Sequence, residues 1–194
     1  MTDATHAVPL SGLVTSANAV TIARILLSPL LFLLILENEA TLGTSWGAVA
    51  LGALLAASDV IDGRLARRSG AVSRSGAFLD PLADKIAVLG TMFCLVAVNR
   101  YFWFPVALIA VREIAISVWR MRWARAGLSV PARRSAKWKT LVQGLALCLA
   151  VLPPLENNQS VVDIALWVAV AFTLVSGWQY LRDGANATSL TGGH

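Results

Sequence analysis

Apolar residues in this chain gather into six runs, each near the ~20 residues an α-helix needs to cross a bilayer. They cover Asn18 to about Leu36, about Trp46 to Ala66, Gly76 to about Val98, Phe102 to about Trp123, Trp138 to Leu152 and Val161 to Leu181. Polar or helix-breaking residues separate them: Pro153-Pro154 closes the fifth run, and Asn157-Asn158-Gln159 makes a turn before the sixth. The pattern predicts an all-α integral membrane protein with six transmembrane helices over residues 18–182. A juxtamembrane segment, 1–17, precedes them and a flexible small-residue tail, 183–194, follows. No internal repeat and no soluble domain is visible.

Composition supports this reading and narrows it. Of the 194 residues, 57% are apolar and only 14% charged, and the mean hydropathy is +0.67. A soluble domain carries about 25% charged residues, so a water-soluble globule, a disordered tail and a disulfide-stapled module are excluded. Cys94 and Cys148 both lie in apolar runs, and His6 and His194 lie in the polar termini. Neither a disulfide framework nor a histidine metal site is expected. Met1 to Gly12 carries no Lys or Arg, unlike the basic start of a signal peptide. The first run is therefore expected to be a retained span.

The net charge of +5 points to anionic lipid rather than nucleic acid once the basic residues are placed. Arg67, Arg68 and Arg74 join the second and third runs. Arg125, Arg133, Arg134 and Lys137 join the fourth and fifth, flanked by Arg120, Arg122 and Lys139, and Arg182 follows the sixth. Arg100 is the one basic residue in the connections on the opposite side. The positive-inside rule then puts both termini in the cytoplasm; the expected location is the cell (inner) membrane. Trp46, Trp103, Trp123, Trp138 and Trp178 fall near run ends, where indole rings favour the interface.

Asp59, Asp62, Asp80 and Asp84 lie within the second and third runs, on the cytoplasmic side. Each costs ~2.5 kcal/mol or more near a bilayer centre and less toward its edge, so intramembrane acids face a bundle interior or a water cavity. Asp59 and Asp62 are three residues apart, and Asp80 and Asp84 four apart, so each pair shares one helical face. The short connection makes the two helices antiparallel neighbours, and the four carboxylates can converge. Left alone they would repel. Hard divalent cations take oxygen ligands, and four carboxylates suit two of them, Mg²⁺ or Mn²⁺, about 3.5–4 Å apart as in sites that clamp a phosphoryl transfer. Gly63 and Ala66 leave room beside such metals, and Arg67 can fork onto phosphate oxygens. The alternative is neutralisation by Arg64, Arg67, Arg68, Arg74 and Lys85, which explains neither the glycines nor the spacing.

Asp59, Asp62, Gly63, Ala66, Arg67, Gly76, Asp80 and Asp84 resemble the signature of the CDP-alcohol phosphotransferases, D-x2-D-G-x2-A-R-x8-G-x3-D-x3-D, at every fixed position. The resemblance implies that family's six-helix fold and transfer of a phosphate-linked group from a CDP-alcohol to a hydroxyl, with CMP leaving. Asp59, Asp62, Asp80 and Asp84 would hold the two metals, and Asp84 would also be the general base. Asp62, Gly63, Ala66, Arg67 and Gly76 would hold the CDP moiety, and Ser73 would donate to a donor phosphate. A homodimer is implied as well.

Asn18-Ala-Val-Thr21-Ile-Ala-Arg24, Phe78 to Lys85, Arg112-Glu113-Ile114 and Lys137-Trp138-Lys139-Thr140 resemble the phosphatidylglycerophosphate synthases of that family. These join CDP-diacylglycerol to glycerol 3-phosphate. Arg112, Lys137, Lys139, Thr21 and Arg24 would then bind the acceptor phosphate, with Arg133 and Arg134 candidates at the mouth. Ala136 stands where Gly is usual. Each of these residues also has a structural reading: Arg112 and Glu113 in an ion-pair network, the lysines as positive-inside charge, and Arg24 snorkelling to the interface. The alternatives in function are another acceptor within the family, as in cardiolipin synthase or phosphatidylinositol-phosphate synthase, and, in a different class, a small cation transporter.

Overall fold

The computed structural model describes the backbone of residues 16–69, 76–125 and 134–191, and the side chains of 23–58, 85–119, 121–122 and 138–182. Within these the chain is all helix, with no strand. The helices are α1 (Ser16–Leu36), α2 (Trp46–Ser69), α3 (Gly76–Ala97), α4 (Trp103–Arg125), α5 (Arg134–Val151) and α6 (Gln159–Thr191). Short 3₁₀ turns, Glu39–Thr41 and Pro153–Leu155, precede α2 and α6. Each predicted span corresponds to one helix. α5 starts before Trp138, at Arg134. α6 continues as helix to Thr191, through most of the segment expected to be a flexible tail. Residues 183–191 contain no proline, so no residue there forbids helix, although Gly184, Asn186 and Thr188 favour it little.

Among the described residues, one helical segment is long and apolar enough to cross a membrane unaided, Gln159–Arg182. Its 24 residues reach about 36 Å at 1.5 Å per residue. The apolar segments described on α1, α2, α3 and α5 are shorter: Ala23–Leu36, Trp46–Ser58, Lys85–Ala97 and Trp138–Val151.

α1 packs on α2 and α3, α5 on α2 and α6, and α4 on α3 and α6. At the α1–α3 contact, Gly90 accepts the Phe32 ring so closely that an added Cβ would lie 2.3 Å from Cζ. The core is apolar and sits toward one end of the bundle: Leu31 and Ile35 of α1, Met92 and Leu95 of α3, Val106 and Ile109 of α4, Ala146 and Ala150 of α5, Val162 and Leu166 of α6.

Beyond this core the connections close the same end of the bundle. Asn99, at φ +58°, ends α3 in the left-handed conformation, which asparagine tolerates. The Arg100 and Tyr101 amides then donate back to the Leu95 carbonyl, at 2.8 and 3.0 Å. Arg100 is fully buried, at 0% exposure. Its Nε donates to the Ala150 carbonyl at 3.0 Å, Nη2 to Leu155 O at 2.6 Å and Nη1 to Glu156 O at 2.8 Å. Those carbonyls lie at and beyond the C-terminus of α5, where backbone acceptors lack helical donors and the dipole favours a cation. Gln159 completes the lock, donating to Arg100 O at 2.9 Å and to Asp163 at 2.8 Å. Burial lowers the Arg100 pKa from its ordinary value, opposed by nearby Tyr101, Asp163 and Glu156. Arg100 is thus a structural clamp.

Candidate active site

The inward stripe of each helix changes character along its length. On α6 it reads Val162, Leu166, Ala169, Val170, then Thr173 and Ser176, all buried. The spacing keeps one face turned inward, apolar at the start and polar further on. On α5 the order is reversed: Lys139 and Gln143 come first, then Ala146 and Ala150. α1 runs from Arg24 and Ser28 to Leu31 and Ile35, and α4 from Val106 and Ile109 to Glu113. Because the helices alternate in direction, the polar ends meet on one side, opposite the Arg100 clamp.

Glu113 is the hub of that side. Its Oε1 accepts from Arg112 Nη1 at 2.9 Å and from Lys139 Nζ, joining α4 to α5. Lys85 of α3 lies near enough to act electrostatically on the same carboxylate. Arg112 Nη2 donates to Ser176 Oγ of α6 at 2.7 Å. Ser176 Oγ in turn donates to Thr173 O at 3.0 Å, and Thr173 Oγ1 accepts from Gln143 Nε2 of α5 at 3.0 Å. Arg112 and Lys139 therefore hold one carboxylate between them, with Lys85 acting on it electrostatically, inside a bundle where charge is costly. In these contacts the two cations Arg112 and Lys139 outnumber the one carboxylate of Glu113, a balance suited to an anion. Gln143 and Thr173 continue the cluster as a neutral polar seam toward the core.

Of the residues singled out from sequence, the structure brings Arg112 and Lys139 together through Glu113. The structural reading of this trio as an ion-pair network is thus present as geometry, and it leaves positive charge in excess. Arg24 is buried, at 5% exposure, rather than extended to an interface, and its carbonyl accepts from Ser28 Oγ at 2.7 Å. Asp59, Asp62, Gly63, Ala66 and Arg67 lie on the α2 backbone, Gly76, Asp80 and Asp84 on that of α3, Thr21 on α1 and Lys137 on α5; their side-chain placement is outside the described residues, as are Ser73 and Arg133 entirely. Among the described residues, no group of three or more His, Cys, Asp or Glu could hold a metal. Asp84 immediately precedes Lys85, so its Cα lies about 3.8 Å from that of a lysine acting electrostatically on Glu113.

Sequence reasoning assigned no role to Ser176, Gly177, Gln143 or Thr173, and none in the site to Lys85. A signal existed: Thr173 and Ser176 are polar, three residues apart, and set in an otherwise apolar run. Polar side chains placed so within a span ordinarily face the bundle interior.

A helical bundle that buries a cationic cluster beside a helix pair carrying four aspartates has the layout of an enzyme for phosphate-bearing substrates. Residues 14–175 match the CDP-alcohol phosphatidyltransferase family, and the chain belongs to that family. It is 34% identical to a CDP-diacylglycerol–glycerol-3-phosphate 3-phosphatidyltransferase of Bacillus subtilis, over 84% of this chain and 91% of that one. It is 37% identical to the Pseudomonas fluorescens protein of the same name, over 85% of this chain and 87% of that one. The fold is that of the crystal structure of Mycobacterium tuberculosis phosphatidylinositol phosphate synthase with CDP-DAG bound, with a TM-score of 0.61 at 17% identity over 89% of this chain and 88% of that one.

Proposed function

We propose that this chain transfers the phosphatidyl group of CDP-diacylglycerol to the hydroxyl of sn-glycerol 3-phosphate, releasing CMP and forming phosphatidylglycerophosphate. The observation that carries this reading is the adjacency of two kinds of chemistry. The eight-position signature ends at Asp84, and Lys85, the next residue, acts electrostatically on Glu113, the carboxylate that Arg112 and Lys139 hold. A dianionic acceptor needs cations beside the reacting centre, and a guanidinium with an ammonium supplies them. The curated relatives named for the same donor and acceptor support this choice.

Asp59, Asp62, Asp80 and Asp84 would hold two Mg²⁺ or Mn²⁺ ions. The donor set fits hard cations, being entirely carboxylate oxygen with no histidine or thiol. Bound there, the ions would draw charge from the donor pyrophosphate and make CMP a better leaving group. Asp84 accepts the proton of the acceptor hydroxyl as that oxygen attacks phosphorus. Asp62, Gly63, Ala66, Arg67, Ser73 and Gly76 hold the CDP moiety. Arg112, Lys139 and Lys137 hold the acceptor phosphate, with Arg24 and Thr21 of α1 assisting. Much of the rate enhancement is positioning and electrostatics.

The donor's acyl chains must remain in lipid, so we place all six helices in the cell membrane, with termini and site on the cytoplasmic face, and the working unit as a homodimer. Burial supports the membrane setting. Large apolar side chains face outward, as with Leu26, Val111, Leu141 and Ile164, while Arg24, Glu113, Lys139 and Gln143 face inward. Large apolar side chains exposed outside an apolar core suit a lipid surround rather than water.

The test is CMP release from CDP-diacylglycerol with Mg²⁺ or Mn²⁺ and a panel of acceptors. Release with glycerol 3-phosphate alone is expected. Release only with phosphatidylglycerol or an inositol phosphate overturns the acceptor, and metal-independent turnover overturns the metal site. Asp84→Asn is expected to fold normally and to lose at least about 10²-fold in turnover; near-normal activity removes Asp84 as the base.

A further inference from the structure

We propose that Ser176 and Gly177 of α6 are positioning residues for the acceptor, holding Arg112 in the orientation that receives its phosphate. The proposal rests on the phosphorylated-acceptor reading above. The family match ends at residue 175.

A guanidinium binds phosphate through a planar fork, so its orientation matters as much as its charge. Two contacts fix the plane of Arg112. Nη1 is held by Glu113 at 2.9 Å, from the same helix. Nη2 is held by Ser176 Oγ at 2.7 Å, from α6. Ser176 is buried, at 1% exposure, and its hydroxyl proton is committed to Thr173 O at 3.0 Å. Its oxygen is thereby presented to Arg112 as an acceptor and cannot turn to donate.

Gly177 acts on the stem of the same side chain. A Cβ added there would lie 3.0 Å from Arg112 Nε and 3.2 Å from Cγ, so the arginine lies along the α6 backbone where glycine leaves room. The fork is held without being saturated. Guanidinium carries five N–H donors, and the two bonds occupy one on each terminal nitrogen. Nε is buried against α6, 3.0 Å from where a Cβ at Gly177 would lie, so the spare donors are the second N–H of each terminal nitrogen. An oriented cation with donors left over is what a phosphate oxygen requires.

A brace that merely joins α4 to α6 would use the same bonds, and steady-state kinetics separates the two roles. The full-length protein in lipid–detergent micelles is assayed for CMP release, varying glycerol 3-phosphate and CDP-diacylglycerol in turn. Ser176→Ala is expected to raise the KM for glycerol 3-phosphate about tenfold, leaving the donor KM unchanged and kcat within about threefold. Ser176→Thr, which restores the hydroxyl, returns that KM to within about threefold of the parent. Gly177→Ala displaces the stem and raises the same KM by at least about tenfold, and it serves as the reading should S176A fail to fold. In an Arg112→Ala background, Ser176→Ala adds less than about twofold, because both changes remove one interaction. An unchanged acceptor KM in both S176A and G177A, a parallel rise in donor KM, or a full additive effect over Arg112→Ala overturns the proposal. Parent protein inactive with glycerol 3-phosphate but active with another acceptor refutes the acceptor reading, and this proposal with it. Turnover of glycerol 3-phosphate with unchanged variant KM values refutes positioning alone.

Discussion

Glu113 is the most exacting residue in the described part of the molecule. It is buried, it accepts from Arg112 and Lys139, and Lys85 lies within electrostatic reach. Removing one partner of a buried charge network costs more than the network contributes, because the remaining charges stay desolvated. Glu113→Gln, which preserves shape and removes charge, is therefore expected to lower unfolding stability by about 3 kcal/mol. Denaturant titration in micelles measures this. Added phosphate is expected to restore part of the loss by occupying the uncompensated cations. A variant as stable as the parent would show that water already compensates those charges. The same residue explains a gap in the sequence reading: Arg112 and Glu113 are adjacent in sequence, but Lys139 is 26 residues from Glu113 and Ser176 is 64 from Arg112, and neither separation leaves a local pattern.

Among the elements, the α3–α4 connection tests how the bundle is locked. Tyr101 is buried in this connection and donates to the Ala146 carbonyl of α5 at 2.8 Å. Burial raises its phenol pKa well above the ordinary value of about 10. A group whose folded pKa is raised contributes stability fully present below its unfolded pKa and lost as pH rises through the folded one. Tyr101→Phe is thus expected to cost about 1 kcal/mol at pH 8, the net worth of one hydrogen bond. That deficit shrinks as pH rises above about 10, because the parent phenol ionises on unfolding and the variant has none. Unfolding midpoints of the two proteins at pH 8 and pH 11 check the sign. The helices themselves were legible from apolar run length, and α2 begins where a cap is found, with Ser45 Oγ accepting the Ala48 amide at 3.1 Å. The continuation of α6 to Thr191 was not, since the polar composition that ends a membrane span does not end a helix.

For the whole molecule, the exposed apolar surface is the property to test. Val168 lies near the middle of Gln159–Arg182 and is exposed. On a soluble helix, Val168→Lys would be nearly neutral. In a bilayer it is expected to cost about 2.5–3.5 kcal/mol, seen as reduced membrane insertion and a lower melting point in lipid. An unchanged yield of membrane-embedded protein would argue that this face of α6 is not lipid-facing.

The sequence by itself determined what is local or periodic. Six apolar runs specify six helices, and a fixed pattern of aspartates and glycines over two successive helices specifies the family. Both depend on residues near one another along the chain, where helical geometry alone relates position to face. Only the tertiary structure decided which polar residues share a cluster. Burial made Arg100 a clamp on the end of α5, turned Arg24 inward, and joined Arg112 of α4 to Glu113, to Lys139 of α5 through it, and to Ser176 and Gly177 of α6. The physical reason is common to all of them. A charge withdrawn from water must find partners wherever the fold places them, and in a bundle of alternating helices those partners come from elements distant in sequence.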